Sequence, residues 1–215
     1  MAKLSLRKAV LDVGAGEGLV AAEMATRTGR PVYALDLTPG KPVPEGVPAV
    51  MGDAHTIPFK DQSIDALAFQ FVLLWVRDPV LVLAEAWRVL RPGGVVMILS
   101  EPDLTSRTDE PDTGLGRAIC RSVMFSGGHP DAGRRMEGWL KKAGFSPRMQ
   151  TTTAEWAALT DPAEAQHELA FLQERAGLTA AQIESMAAQE REAALAGVRR
   201  VLLPLHYGVG IKPQV

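Results

Sequence analysis

The chain has 215 residues, of which 47% are hydrophobic, with a formal net charge of -2 and one cysteine, Cys120. The length suits one large domain, or one domain with an added cap, with room for a substantial core. The near-neutral charge argues against a dominant nucleic-acid or membrane-surface role, a lone cysteine excludes an internal disulfide, and no apolar run approaches the roughly 20 residues of a membrane helix.

Val10-Leu11-Asp12-Val13 is an apolar run that stops at Gly14-Ala15-Gly16-Glu17-Gly18, and an alanine-rich amphipathic segment, Leu19 to Thr28, follows at once. This reads as a buried parallel strand starting near Lys8, a tight turn and a helix. The glycines allow positive φ and close approach of a ligand. A nucleotide-like cofactor is therefore expected across this turn, at the carboxyl edge of a sheet. The dinucleotide fingerprint G-x-G-x-x-G fits poorly: the third glycine comes one residue early and Leu19 stands where glycine is wanted. Glu17 would also repel a pyrophosphate. A ligand with a positive sulfonium and no phosphate suits the loop better.

After a break at Gly29-Arg30-Pro31, Val32 to Asp36 reads as strand two. Its terminal acid lies about 20 residues beyond the glycine turn, where such sheets place a carboxylate for ribose hydroxyls. Thr38 to Pro48 is too rich in proline and glycine for the usual second helix. Val47 to Met51 is a short strand three, and Ile64 to Phe71 is strand four after a turn at Pro58 to Ser63. Asp78-Pro79 opens a helix as N-cap and first residue, and Arg91-Pro92-Gly93-Gly94 is expected to stop it. Val95 to Ser100 is strand five, and Thr105 to Thr113 reads as an exposed polar loop. Helices are expected over Leu115 to Phe125, from Asp131 to Ala143, and from Asp161 to Ala176, with strand six at Phe145 to Thr153 between the last two. Thr179 and Gln182 have capping-box spacing, for a helix running to about Leu203. Leu205 to Lys212 is the last strand.

Two further segments carry a family resemblance. Gly52-Asp53-Ala54-His55-Thr56-Ile57-Pro58-Phe59-Lys60-Asp61-Gln62-Ser63-Ile64-Asp65 resembles "GDA…LPF…D.SFD", and Glu85-Ala86-Trp87-Arg88-Val89-Leu90-Arg91-Pro92-Gly93-Gly94 resembles "E..RVL(R/K)PGG". With the Asp-x-Gly-x-Gly-x-Gly turn they follow, from Val10 to Asp103, the order seen in class I S-adenosylmethionine-dependent methyltransferases. The closest subgroup is the small-molecule type that includes ubiquinone and menaquinone methyltransferases. From Gly114 onward the resemblance is weak.

The resemblance implies an α/β, Rossmann-like three-layer sandwich. Its seven-stranded, mostly parallel sheet would have order 3-2-1-4-5-7-6, with the last strand antiparallel. The chain would be a single methyltransferase domain with a core of 8–104, 131–153 and 205–212 and a helical substrate cap of 105–130 and 154–203. S-adenosylmethionine would be the cofactor. Gly14, Ala15, Gly16 and Gly18 would line it, with Asp12 near the methionine ammonium and Asp36 on the ribose. Leu37, Gly52, Asp53 and Ala54 would face the adenine, and Gln70, Phe71 and Trp75 the methionine end. His129 and Glu101 are the candidate acid–base residues on the acceptor side, although methyl transfer can proceed on positioning and desolvation alone.

Strand four ends Phe69-Gln70-Phe71-Val72, without the Asp/Asn-Pro-Pro-Tyr motif of amino-group methylation, so an oxygen or carbon of a small molecule is the expected acceptor. The four histidines show no metal-ligand spacing, and no metal is expected. The alternatives are a non-catalytic S-adenosylmethionine-binding module and an NAD-dependent oxidoreductase. Met1 to Lys8 is too short for a signal peptide, and a cytoplasmic location is expected. The family places one or two helices before strand one, where this sequence has Met1 to Arg7. An open site with an apolar rim, buried in a homodimer, is the corresponding expectation. No nucleic-acid or membrane partner is expected.

Overall fold

The computed structural model describes residues 10–38, 43–157, 172 and 177–214. In chain order these form β1 (Val10–Val13), α1 (Leu19–Thr28), β2 (Val32–Asp36), β3 (Ala49–Met51), β4 (Ile64–Gln70), α2 (Pro79–Val89), β5 (Leu90–Pro102), β6 (Thr108–Glu110), α3 (Leu115–Phe125), α4 (Ala132–Lys142), β7 (Ser146–Ala157), α5 (Ala180–Leu195) and β8 (Arg200–Ile211). The sheet runs β3-β2-β1-β4-β5-β8-β6, with β7 on the other side of β8. β1 to β5 pair in parallel, and β8 is antiparallel to β5, β6 and β7. The seven expected strands thus lie in the order 3-2-1-4-5-7-6, and β6 is an addition.

Strand alternation divides the core into two layers. Leu11, Val13, Leu67, Phe69, Val96 and Ile98 pack with Leu83 and Ala86 of α2 and Met136 and Leu140 of α4. Val10, Val32, Ala34, Ala66, Ala68 and Met97 pack with Ala21 and Met24 of α1 on the opposite face. A separate small cluster joins Leu115 and Ala118 of α3 to Leu172, Leu178 and Met186.

Helix ends follow local chemistry. The Asp78 carboxylate accepts the Leu81 N–H at 2.9 Å, with Pro79 in the first turn of α2. At the other end of α2 the Lys212 ammonium donates to the carbonyls of Trp87 and Leu90 at 2.6 and 2.7 Å. Carbonyls at a helix C-terminus lack partners within the helix and attract cations. The capping box at Thr179 and Gln182 is present.

Four expectations need correction. First, β5 begins at Leu90, which pairs with Ile64. Arg91-Pro92-Gly93-Gly94 therefore lies within the strand as an irregular stretch, with Gly93 at φ 74°. Second, α5 ends at Leu195, because Gly197 turns left-handed at φ 67° just beyond it. Third, β7 and β8 are longer than expected: they stay paired out to Ala157 opposite Arg200. Ala154 to Ala157 and Arg200 to Leu203, assigned to the cap from sequence, are strand.

The fourth correction concerns 105–113. Instead of a loop it forms a short helical turn, Leu104–Ser106, and then β6, which pairs with the start of β8. Two of its charged side chains, Arg107 and Asp109, are buried, while Glu110 and Asp112 stay exposed. The Arg199 side chain, 0% exposed, donates to Asp109 and Glu190 at 2.6 Å each and to the Arg200 carbonyl at 2.9 Å. Arg107 also pairs with Asp109, and the Thr113 hydroxyl donates to Glu190. This network ties β6, the start of α3, α5 and the turn before β8 together. The expected helix from Asp161 to Ala176 lies outside the described residues, apart from Leu172. No helix stands between β2 and β3 among the described residues.

Removing one member of a buried ion network strands the others without a counter-charge. Arg199→Met is expected to destabilise the fold by about 3–5 kcal/mol in urea unfolding. A loss below about 1 kcal/mol, the scale of an exposed pair, would contradict the assignment.

Candidate functional site

The carboxyl ends of β1, β2, β3 and β4 meet in one row, and the loops leaving them form the site. Gly14, Gly16 and Gly18 all have positive φ, at 69°, 54° and 73°. A Cβ on Gly14 would lie 2.6 Å from Val72 Cγ2, so only glycine fits where this turn crosses the loop after β4. Above Gly16 no described residue stands within 4 Å of a Cβ position. The Gly14 and Ala15 amides donate to the Leu35 carbonyl at 2.8 and 3.0 Å. The Gly16 N–H donates to Asp36 Oδ2 at 2.8 Å, and Asp36 Oδ1 accepts from Thr38. Leu37, next to it, is 65% exposed.

Asp12, at 2% exposed, lies under this turn on the α1 side of β1. Burial pushes its carboxyl up to about 7, opposed by a hydrogen bond from the Ala21 amide and reinforced by the Asp36 charge. Its Oδ2 is buried with no hydrogen-bond partner among the described residues. A buried acceptor without a partner is costly and needs a reason.

The loop after β3 begins at Gly52, whose N–H donates to the Asp36 carbonyl at 2.9 Å. Asp53 then caps a short helical turn, Ala54–Thr56. Its Oδ1 accepts the His55 amide at 2.8 Å and meets the His55 ring Nδ1 at 2.7 Å. These bonds hold the Asp53 carboxyl below its usual range. The next stretch is fixed by the second family segment. Glu85 accepts the Ile57 amide, and Arg88 donates to the carbonyls of Ile57 and Phe59 and to Asp61, all at 2.7 to 3.0 Å. The two family segments are thus halves of one hydrogen-bonded unit that holds the loop carrying Asp53.

Gln70 ends β4. Phe71 follows in a left-handed conformation, φ 53°, and donates its N–H to the Ser100 carbonyl at 2.9 Å. Trp75, half-buried, closes the same turn by donating its N–H to the Val72 carbonyl. The structure therefore brings Asp12, Gly14, Ala15, Gly16, Gly18, Asp36, Leu37, Gly52, Asp53, Ala54, Gln70, Phe71 and Trp75 to one edge.

The two acid–base candidates differ from expectation. Glu101 is completely buried and accepts the amides of Val72, Leu73 and Leu74, so it faces backbone instead of the acceptor side. His129 stands beside α4. Its Nε2 lies 3.1 Å from the Arg77 carbonyl, which can only accept, so Nε2 carries the proton and Nδ1 takes the Arg135 guanidinium at 3.4 Å. Both ring nitrogens are engaged. Sequence reasoning gave no role to His55, Glu85, Arg88 or Val72. The Asp-x-His spacing and the Glu-x-x-Arg pair were visible, but what they hold is set by folding.

The residues present fit a cationic nucleoside cofactor. Among the described residues there is a carboxylate at the end of β2, open space over a glycine turn and a buried carboxylate oxygen in want of a donor. An α/β sheet with this switch point and this acidic edge defines a nucleoside-cofactor fold with a preference for positive charge.

A methyltransferase domain model matches residues 11–98. A demethylmenaquinone methyltransferase from Mycobacterium sp. (strain KMS) is 33% identical over 171 residues, covering 74% of each chain. A 37.1 kDa protein in transposon Tn4556 of Streptomyces fradiae is 40% identical over 128 residues, and this chain covers 54% of its own length and 36% of that protein there. Among solved structures, phosphoethanolamine N-methyltransferase 2 of Haemonchus contortus, in complex with phosphomonomethylethanolamine and S-adenosylhomocysteine, superposes with a TM-score of 0.60 at 18% identity, over 96% of this chain and 49% of that one. The chain belongs to the class I S-adenosylmethionine-dependent methyltransferase family. S-adenosylmethionine is the cofactor that goes with this fold and edge.

The state of Asp12 gives a pH test. In the unliganded chain Asp12 holds its proton to about 7, whereas the unfolded chain sheds it near 3.8. The folded form binds more protons between these values, so this group lowers stability as pH rises from about 4 to about 7. A cationic ligand reverses the preference and favours the ionised carboxylate. Affinity for S-adenosylhomocysteine, which keeps the methionine ammonium, is expected to fall as pH drops below about 7. Calorimetry across that range should show a shallower dependence for Asp12→Asn. An Asn variant with the wild-type profile would contradict the placement.

Proposed function

We propose that the chain transfers the methyl group of S-adenosylmethionine to an oxygen or carbon of a small molecule. The observation that carries this reading is the buried Asp12 oxygen, without a partner among the described residues, beneath the glycine turn that Asp36 holds. In this reading the turn from Gly14 to Gly18 supports the cofactor, and Asp36 takes the ribose hydroxyls with the lone pairs left by Gly16 and Thr38. Leu37, Gly52, Asp53 and Ala54 surround the adenine, Asp12 faces the ammonium, and Gln70, Phe71 and Trp75 border the methionine end. When bound, the cofactor supplies an electrophilic methyl group on a good leaving group. The chain's own residues orient the donor, exclude water and hold the acceptor, which is where such a displacement gains most of its rate. Glu101 and His129 keep structural partners and take no proton-transfer role here.

The name of the mycobacterial relative supports a small-molecule acceptor. The cap, with its own cluster of Leu115, Ala118 and Leu172, supports an acceptor pocket shaped by α3 and α5 within a single domain. The chain spans about a third of the length of the Streptomyces relative. Exposed Leu19, Leu37 and Phe71 at the edge support burial in a homodimer. The single free cysteine supports a reducing, cytoplasmic setting.

The test is incubation of the purified chain with methyl-labelled S-adenosylmethionine and an extract of small metabolites. Label should appear in a product whose new methyl sits on oxygen or carbon, with S-adenosylhomocysteine formed in equal amount. Asp36→Ala should weaken cofactor binding by about 1.5–3 kcal/mol, the scale of lost hydrogen bonds to a charged group. A labelled amine would overturn the acceptor class, and an unchanged affinity in Asp36→Ala would remove the ribose role.

A further inference from the structure

Glu101 makes an arrangement that the methyl-transfer reading has not used. It stands at the carboxyl end of β5, one residue beyond Ser100, which pairs with Gln70. Its side chain is 0% exposed. Oε1 accepts the amides of Val72 and Leu73 at 2.8 Å each, and Oε2 accepts that of Leu74 at 3.3 Å. Three successive amides converging on one carboxylate form a concave anion site of the kind that loops use for ligands. Here the chain fills it with its own side chain.

The residue just before these amides is Phe71, at φ 53°. A left-handed conformation is unfavourable for a bulky residue and persists only where the surroundings impose it. The surroundings are Glu101 on the three following amides and the Ser100 carbonyl on Phe71's own N–H. The same turn carries Val72, whose side chain occupies the space over Gly14 that a Cβ would need. Glu101 therefore controls two loops at once: directly the one after β4, and through Val72 the glycine turn after β1. Behind it, Gly133 of α4 packs so closely that a Cβ there would lie 2.6 Å from the Glu101 carbonyl oxygen, which fixes the strand's backbone.

We propose that Glu101 is a positioning residue for methyl transfer, whose carboxylate fixes the Phe71–Leu74 turn and thereby sets Gln70 and Phe71 at the methyl-donor end of the cofactor site. The proposal rests on the methyltransferase reading above. It also explains why the residue is Glu. Glutamine offers one acceptor oxygen and two donors, so at best it keeps the two bonds at Oε1 and turns an N–H toward the Leu74 amide. Aspartate is one methylene shorter and falls short of the turn.

The test uses the full-length chain and three variants: Glu101→Gln, Glu101→Asp and, as a control, Glu190→Gln. Glu190 is also a buried carboxylate, but it belongs to the Arg199 cluster in the cap. Two readouts are independent of turnover: hydrogen exchange of the 72–74 amides in the unliganded chain, and S-adenosylhomocysteine affinity by calorimetry well below each melting temperature. Both Glu101 variants should lose protection at 72–74 and bind S-adenosylhomocysteine at least about tenfold more weakly, the scale of one hydrogen bond to a charged group. Glu190→Gln should lower the melting temperature while its affinity stays within about twofold of wild type, since its contacts lie away from the cofactor edge. The proposal is overturned if either folded Glu101 variant keeps wild-type affinity, or if Glu190→Gln weakens binding as much as they do. A wild-type chain that binds no S-adenosylhomocysteine removes the methyltransferase reading itself and this proposal with it.

Discussion

The bond from the Gly16 amide to the Asp36 carboxylate joins the turn after β1 to the end of β2. The Gly14 and Ala15 amides of that turn already pair with the Leu35 carbonyl of β2, and Asp36 takes the next one; a loop amide left unsatisfied away from water costs about 1–3 kcal/mol. The molecule meets that cost with acids. Asp53 holds the His55 amide, Glu85 the Ile57 amide, Asp78 the Leu81 amide and Glu101 those of Val72 to Leu74. Glu85 and Glu101 act from a helix and a strand on loop amides, and Asp53 and Asp78 cap the turn and the helix that follow them; bonds of this kind to a carboxylate are stronger than a neutral pair. Irregular loops at the sheet's carboxyl edge are held still in this way without being made regular. The exception is Asp12, which gives one oxygen to Ala21 and leaves the other unpartnered below the cofactor edge.

The other end of the chain uses charge differently. Arg199, Asp109, Glu190 and Arg107 neutralise one another between β6, α3, α5 and β8. Such a cluster adds little net stability over apolar packing, but it penalises wrong arrangements heavily. It sits beside the small apolar cluster of α3 and α5. β6 and α5 are thus registered against β8 by directional contacts, while β1 to β5 are registered by strand pairing.

What could be read from sequence was what is decided locally. The glycine turn bounded β1 and α1, Asp78-Pro79 opened α2, Leu115 to Phe125 formed α3 as expected, and Thr179 with Gln182 made the capping box. The non-local features were hidden. β6 is polar and three residues long, and Asp109 is buried between Arg107, two positions earlier, and Arg199, 90 positions later. Leu90 enters a strand because Ile64 awaits it, and the Arg91-Pro92-Gly93-Gly94 stretch, which suggested a stop, is absorbed as an irregularity. Glu101 showed the same limit: an acid after a strand suggested chemistry at a pocket, whereas the turn it serves lies 27 to 29 positions earlier. The ends of β1 to β4 fall in one row, as strand order and register require. The partners of each side chain depend on which loops folding brings together.

The central claim is that this acidic, glycine-lined edge is built for a cationic methionine nucleoside and not for a pyrophosphate. Calorimetric titration of the wild-type chain at neutral pH with S-adenosylmethionine, S-adenosylhomocysteine and NAD, each separately, tests it most directly. Saturable one-site binding of both methionine nucleosides and no binding heat from NAD are expected. Saturable binding of NAD, or no binding of either methionine nucleoside, would contradict it.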